Sequence, residues 1–195
     1  MAARAILFDL DGTIWDSYPW YAAVLENETG VAAAETLRLL RAGASVVMIA
    51  RNCGVAGSKL RRLCESCSST LRVYPGVGDS LDKLKQRRWN LGIVTSLPER
   101  VARPLLDGCG LTNMFGAIVH ANNCTYRKPR PEPLLLALQQ VQAGVLESWY
   151  VGDRSVDALA ADNAGMQFAW ASYGYVDGHP RAAFELKSFR DVLDL

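Results

Sequence analysis

Short apolar runs alternate along this chain with helix-like segments. The runs that predict buried strands span residues 5–8, 91–95, 117–119, 149–152 and 168–171. The segments between them predict helices at residues 80–88, 99–107, 132–141 and 156–164. Strands that alternate with helices form a parallel sheet with both faces covered. The sequence therefore predicts an α/β fold with a Rossmann-like parallel sheet as its core.

The stretch from residue 17 to residue 74 breaks this alternation. It has no strong strand pattern, and glycines separate its helix-like segments at 18–28, 33–41, 46–52 and 58–66. A chain of 195 residues is long enough for one domain with a small inserted module. We expect residues 1–16 and 75–195 to form a discontinuous α/β core, and residues 17–74 to form a small all-helical cap. After Gly178 the sequence predicts only one closing helix.

Composition favours no nucleic-acid or membrane partner. Lys and Arg number 21 against 20 Asp and Glu, a formal net charge of +1, so no strong overall field exists. No apolar stretch approaches the roughly 18 residues of a membrane helix, and no signal peptide pattern opens the chain. Five cysteines, of which only Cys64 and Cys67 form a CxxC, indicate neither a disulfide framework nor a zinc site. These features predict a cytoplasmic protein with a small-molecule partner and leave its oligomeric state open.

One segment of the insert has a second interpretation. Residues 49–63 have the spacing of a helix-turn-helix, in which Lys59, Arg61 and Arg62 would contact DNA phosphates. The alternative is a helical hairpin of a cap, with its turn at Gly54. The hairpin is favoured because the chain as a whole is not basic.

Two carboxylates follow the first predicted strand. Asp9 and Asp11 stand two residues apart in the run FDLDGT, so their side chains project to the same side. Crowding two acids at a buried strand end is costly unless a cation or a proton is shared. Open α/β sheets bind their ligands at this end of the strands.

Other strand ends offer matching groups. Thr95 and Ser96 follow the second strand, Lys128 lies in a polar loop after the third, and Asp153 and Asp157 follow the fourth. Carboxylates form a hard oxygen cage for Mg²⁺, while hydroxyl, amide and ammonium groups donate to phosphate oxygens. The ordered set predicts a site for a phosphoryl group.

In the order DLDGT, TS, KP and GDRSVD, the chain resembles the haloacid dehalogenase-like hydrolase superfamily. Two further segments, YPGV at 74–77 and VDALAADNAGM at 156–166, are similar to its phosphoglycolate phosphatase branch. The resemblance covers residues 4–15 and 74–176. It is weaker through the insert, which takes the place of the family's helical cap.

The resemblance implies a Mg²⁺-dependent phosphatase that acts on a small phosphorylated metabolite. Asp9 would be the nucleophile and form an aspartyl-phosphate. Asp11 would protonate the leaving oxygen and then activate water, while its backbone carbonyl would bind the metal beside the carboxylates of Asp9 and Asp153.

The resemblance also implies roles for the remaining groups. Thr95 and the backbone amide of Ser96 would hold phosphate oxygens. Lys128 would neutralise charge on the nucleophile and the phosphate, and Asp157 would orient Lys128 or a metal-bound water.

Two other functions stay open. One is a phosphoglucomutase-like phosphotransferase with the same nucleophile, and the other is a non-enzymatic module that binds DNA or protein. Substrate choice is also open: Tyr18, Trp20, Arg51, Asn52 and Lys59 are candidates to line the mouth of the cap.

The residue after Asp153 departs from the family pattern. The family commonly has Ser or Thr at this position, where this chain has Arg154. The arginine would contact the substrate, pair with Asp157 or point to solvent.

Overall fold

The computed structural model describes residues 3–175 and 178–195, and a sheet of six parallel strands lies at its centre. The strand order is β3-β2-β1-β4-β5-β6. The strands are β1 (Ala5–Phe8), β2 (Asn90–Val94), β3 (Ala117–Val119), β4 (Trp149–Gly152), β5 (Gln167–Ala171) and β6 (Phe184–Leu186). This sheet confirms the predicted α/β, Rossmann-like fold.

Helices cover both faces of the sheet and divide the core into two layers. They are α5 (Val77–Gln86), α6 (Glu99–Gly108), α7 (Glu132–Gln140) and α8 (Ser155–Ala164). Alternate residues of β1 point to opposite faces, so Ile6 and Phe8 join one layer with α5 and α6, whereas Ala5 and Leu7 join the other with α7 and α8. Burial on both faces explains why β1 is an unbroken apolar run.

Four helices lie between β1 and α5. They are α1 (Ser17–Thr29), α2 (Ala33–Arg41), α3 (Val46–Asn52) and α4 (Gly57–Cys67), followed by a 3₁₀ helix, Ser68–Thr70. Their buried residues continue the apolar layer that packs on α5 and α6, and α4 packs against α6. The division into a core and a cap domain stays a prediction, because one apolar layer runs through both.

The helical pair α3 and α4 is a hairpin whose turn contains Gly54 in a left-handed conformation. Lys59 forms an ion pair with Glu28, and Arg61 pairs with Glu65 at 2.7 Å. Two of the cations that a DNA reader would use are therefore paired with acids of the same insert. None of the helices in residues 3–175 and 178–195 has both the length and the apolarity needed to cross a membrane.

The prediction of one closing helix missed the strand that precedes that helix. The chain first adds β6 to the edge of the sheet and then ends in a 3₁₀ helix, Phe189–Asp194. Three residues are too few to show a strand period, and β6 exists because β5 offers it a partner. Ser188 and Asp191 form a capping box at the start of the 3₁₀ helix.

We predict that Leu7→Ala lowers the free energy of unfolding by about 2–5 kcal/mol. Leu7 is fully buried in β1 and fills the space beside Gly92, where a Cβ atom would lie 2.7 Å from its side chain. Leu146→Ala is the matched control, since Leu146 is 77% exposed. Urea unfolding of the two variants measures the difference, and equal effects would contradict this packing.

Candidate active site

The carboxyl ends of β1, β2 and β4 bring the predicted site residues together. Asp9 directly follows β1, and its backbone N–H donates to the carbonyl of Val151 at 2.9 Å. Thr95 directly follows β2, and its N–H donates to the carbonyl of Val119 at 2.9 Å. Because these bonds continue the sheet beyond the strands, Asp9 and Thr95 are held by the most regular part of the fold.

The ammonium group of Lys128 joins the acids of this edge. Its Nζ donates to Asp9 Oδ1 at 2.8 Å, to Asp157 Oδ1 at 2.6 Å and to the hydroxyl of Tyr150 at 2.8 Å. The side chain is 3% exposed. Burial alone would lower the pKa of Lys128, but Asp157 and Asp9 hold it well above its ordinary value. Lys128 is therefore a fixed positive charge beside Asp9.

Tyr150 is a site residue that the sequence prediction missed. It lies inside β4, is fully buried and has its hydroxyl 3.1 Å from the carbonyl of Val94 and 3.2 Å from Asp157 Oδ1. Its position in the apolar run WYVG gives the expected signal of a core residue. The only sign of a role in the site is the residue type, because the hydroxyl of a buried tyrosine needs a hydrogen-bond partner.

Three buried carboxylates converge at the same place. Asp9, Asp153 and Asp157 each offer an oxygen, and these oxygens lie within 4.8 Å of one another. Asp153 Oδ2 accepts from the N–H of Tyr175 at 2.7 Å, whereas Asp153 Oδ1 is buried without a partner. Carboxylate oxygens that converge in this way, one of them without a hydrogen-bond partner, are suited to bind a hard divalent cation such as Mg²⁺.

Burial makes Asp9 and Asp153 hard to ionise. It raises the pKa of Asp9 from 3.8 to about 7, although Lys128 lowers it. Burial and then the neighbouring Asp157 and Asp9 hold the pKa of Asp153 well above its ordinary value. Without a further positive charge, Asp9 and Asp153 therefore hold their protons to a higher pH than ordinary carboxyl groups.

Asp11 lies beside this cluster, and its side chain is bonded elsewhere. Its Oδ1 accepts from Trp15 Nε1 at 2.9 Å and from the hydroxyl of Tyr21 at 3.5 Å. Burial raises its pKa. The turn continues at Gly12, where φ is 78° and a Cβ atom would lie 2.2 Å from Asp153 Oδ2, so only glycine fits.

Tyr175 connects the acids to the start of α1 and was also missed. Its N–H binds Asp153, while its hydroxyl donates to Asp16 at 2.5 Å and accepts from the N–H of Tyr18 at 2.7 Å. Its ring stacks on Tyr18 with the centroids 3.6 Å apart. No sequence signal marks it, because Tyr18 and Asp16 stand 157 and 159 residues away from it in the chain.

A cavity of about 200 Å³ opens above Asp9, between the strand ends and the insert. The strand side contributes the predicted residues Asp9, Asp11, Thr95, Ser96, Lys128, Arg154 and Asp157, and the insert contributes Tyr18, Tyr21, Leu40 and residues 43–46. A larger cavity of about 480 Å³ lies between α4 and α6. The smaller one is the candidate site, since none of the residues predicted to bind a phosphoryl group at the strand ends lines the larger one.

Of the five candidates for the cap mouth, Tyr18 lines this cavity. Arg51 and Asn52 are exposed on α3 and do not line it. Lys59 pairs with Glu28, and Trp20 Nε1 donates to Thr70 at 2.8 Å. The insert reaches this cavity through Tyr18, Tyr21, Leu40 and the turn between α2 and α3.

Comparison of the sequence with known protein families identifies the family of this chain. Residues 6–171 match the haloacid dehalogenase-like hydrolase family. Together with the parallel sheet and its acidic strand ends, this match shows that the chain belongs to that family. Within it, the chain is a phosphatase, as the curated relatives indicate.

Two relatives and two solved structures illustrate the similarity. A phosphoglycolate phosphatase of Pseudomonas putida is 32% identical over 91% of this chain and 72% of its own. An N-acetylmuramic acid 6-phosphate phosphatase of Pseudomonas aeruginosa is 29% identical over 92% of this chain and 85% of its own.

Among solved structures, a putative phosphoglycolate phosphatase of Lactobacillus plantarum has a TM-score of 0.81 at 23% identity, covering 100% of this chain and 99% of its own. A hydrolase of the same superfamily from Geobacter sulfurreducens has a TM-score of 0.79 at 27% identity, covering 99% of each chain.

We predict that Mg²⁺ stabilises the protein more as the pH rises. Between pH 3.8 and about pH 7, Asp9 is protonated in the folded protein but ionised in the unfolded chain. The contribution of Asp9 to stability therefore falls as the pH rises through the pKa of Asp9 in the folded state. A bound cation favours the ionised form and competes with that proton. Melting temperatures with and without Mg²⁺ at about pH 5 and about pH 8 measure the effect.

Two variants control this experiment. Asp153→Asn should remove most of the Mg²⁺-induced shift, while Asp79→Asn, a change at an exposed position of α5, should keep it. A Mg²⁺ shift that is the same at both pH values, or the same in both variants, would contradict a metal site at these carboxylates.

Proposed function

We propose that this protein is a Mg²⁺-dependent phosphatase that hydrolyses a small organic phosphate monoester through an aspartyl-phosphate on Asp9. The observation that carries the proposal is the 2.8 Å contact between Lys128 Nζ and Asp9 Oδ1 within a buried cluster of carboxylates. A lone carboxylate repels a phosphate dianion, and this repulsion grows in a buried site. Lys128 offsets it at the attacking atom.

Bound Mg²⁺ would supply further positive charge to draw the phosphate and the nucleophile together. The carboxylates of Asp9 and Asp153 and the backbone carbonyl of Asp11 would hold it. Asp157 would keep Lys128 in place through their 2.6 Å contact.

The first step forms a bond between an Asp9 oxygen and phosphorus, and the bond from phosphorus to the leaving oxygen breaks. Asp11 gives its proton to that oxygen. Its raised pKa favours the protonated form that this step needs.

The second step reverses the role of Asp11. As a carboxylate it takes a proton from water, and the water oxygen bonds to phosphorus while the bond to Asp9 breaks. Inorganic phosphate and free Asp9 result. Trp15 orients the Asp11 carboxyl group through their 2.9 Å hydrogen bond.

Thr95 and Ser96 would hold the phosphate oxygens at the end of β2. Thr95 Oγ1 accepts from the N–H of Leu97 at 3.1 Å, which leaves the hydroxyl hydrogen to donate to a phosphate oxygen. The backbone amide of Ser96 would be a second donor. A cavity of about 200 Å³ suits a small phosphate ester and not a macromolecular substrate.

We predict that Asp9→Asn lowers Mg²⁺-dependent hydrolysis of an aryl phosphate by at least about a thousandfold. The amide is neutral and a poor nucleophile, yet it fills the same space. Asp79→Asn is the control, with an exposed carboxyl changed in the same way. Unimpaired turnover by a folded Asp9→Asn protein would disprove the intermediate, and wild-type protein inactive on every phosphate ester would disprove the function.

Mutase activity is the alternative reaction of the same nucleophile. A putative β-phosphoglucomutase of Thermotoga maritima shares the fold at a TM-score of 0.75, but its 22% identity says nothing further about function. We expect a hexose phosphate incubated with the protein to yield inorganic phosphate and not a phosphate isomer. Phosphate release and isomer formation can be followed in one reaction by ³¹P NMR, and accumulation of an isomer would favour the mutase.

A further inference from the structure

The hydroxyl of Tyr150 is a buried polar group that the proposed reaction does not yet use. Tyr150 is fully buried in β4, and β1 separates that strand from β2. The hydroxyl nevertheless lies 3.1 Å from the carbonyl of Val94, the last residue of β2. The side chain of Tyr150 therefore crosses β1 and ends at the carbonyl that directly precedes Thr95.

This hydroxyl is one of three close acceptors around the ammonium group of Lys128. Nζ donates to Asp157 Oδ1 at 2.6 Å, and to Asp9 Oδ1 and the Tyr150 hydroxyl at 2.8 Å each. An ammonium group has three N–H donors, so these acceptors satisfy it. The carbonyl of Val94 is a longer contact, at 3.4 Å. Lys128 is therefore held by two acids and by one neutral group, the hydroxyl of Tyr150.

Tyr150 differs from Asp9 because its charge stays the same during the proposed reaction. The carboxylate of Asp9 loses its negative charge when it bonds to phosphorus, so its attraction for Lys128 weakens at that stage. Burial, and after it the neighbouring Asp157, holds the pKa of Tyr150 well above its ordinary value, so the hydroxyl keeps its hydrogen. Tyr150 therefore offers Lys128 the same acceptor before and after Asp9 reacts.

We propose that Tyr150 is a positioning residue, whose hydroxyl keeps the ammonium group of Lys128 between Asp9 and the end of β2 while the phosphoryl group is transferred. This inference rests on the proposed phosphatase function and adds a residue to it. A fixed charge lowers a reaction barrier most when it does not have to move as charge develops. Because the same hydroxyl binds the carbonyl before Thr95, the ammonium group keeps its place relative to the proposed phosphate-holding loop.

We predict that Tyr150→Phe lowers kcat for an aryl phosphate at saturating Mg²⁺ by about tenfold to about a hundredfold. Phenylalanine fills the same space and removes only the hydroxyl. One N–H of Lys128 would then turn to the carbonyl of Val94, and Nζ must move to shorten that 3.4 Å contact. KM should change by less than about threefold, because the lost interaction acts in the transition state more than in the bound substrate.

Tyr173→Phe is the matched control. The hydroxyl of Tyr173 donates to the backbone carbonyl of Thr13 at 2.8 Å, a bond of the same kind that does not involve Lys128. We expect kcat of this variant to stay within about twofold of wild type, since its loss concerns the fold. The folded fraction of each variant is measured by circular dichroism at the assay temperature, and kcat is divided by that fraction.

A double variant tests whether the hydroxyl acts through Lys128. Asp157 holds the same ammonium group, so each of the two acceptors compensates in part for the loss of the other. We expect Tyr150→Phe with Asp157→Asn to lower kcat by at least about threefold more than the product of the single effects. The direct 3.2 Å contact between Tyr150 and Asp157 gives the opposite sign, because the double variant loses it only once.

The outcomes separate the positioning role from the phosphatase function. Wild-type protein that hydrolyses the aryl phosphate, together with an unchanged kcat in Tyr150→Phe, would overturn the role and leave the phosphatase proposal standing. The role is also wrong if the loss appears only in KM, if Tyr173→Phe loses as much, or if the double variant reaches only the product. Wild-type protein inactive on every phosphate ester would overturn the phosphatase proposal and the positioning role with it.

Discussion

The buried contact of Lys128 with Asp9 and Asp157 is the interaction on which the site depends. One ammonium group faces three carboxylates, and Asp153 keeps an oxygen without a partner. Removing such charges from water is expensive, and their mutual attraction seldom repays the whole cost. The arrangement is therefore a poor way to stabilise a fold. The carboxylates outnumber the nearby positive charges, and this imbalance fits a site that binds a cation for a reaction.

The fold makes this arrangement possible by distributing the acids over independent supports. The sheet holds Asp9 through Val151, α8 holds Asp157 in its first turn, and the N–H of Tyr175 holds Asp153. Each carboxylate is thus positioned by a backbone group and not only by Lys128. Burial, and after it repulsion from neighbouring carboxylates, then raises the pKa values of Asp9 and Asp153 instead of moving the side chains apart.

The sequence predicts the part of this architecture that has a local origin. The apolar run of β1 and the acids that follow it are adjacent in the chain, so Asp9 and Asp11 can be recognised from spacing alone. Tyr150 and Tyr175 are different. Tyr150 looks like any core residue of a strand, and Tyr175 acquires its role only when residues near 16 and 153 come together. The edge strand β6 was missed for the same reason, since its only support is the neighbouring β5.

Arg154 lies where the α/β part of the chain meets the helical insert. Sequence alone left three possibilities for it: contact with substrate, a pair with Asp157, or solvent. The structure places its backbone N–H on Asp157 Oδ2 at 3.2 Å and its guanidinium group beside the turn after α2. The backbone of Arg154 therefore joins the start of α8 to Asp157, while one guanidinium nitrogen lies next to Gly43 of the insert. A change of side chain at this position should leave Asp157 in place, because the contact between the Arg154 backbone and Asp157 does not depend on the side chain.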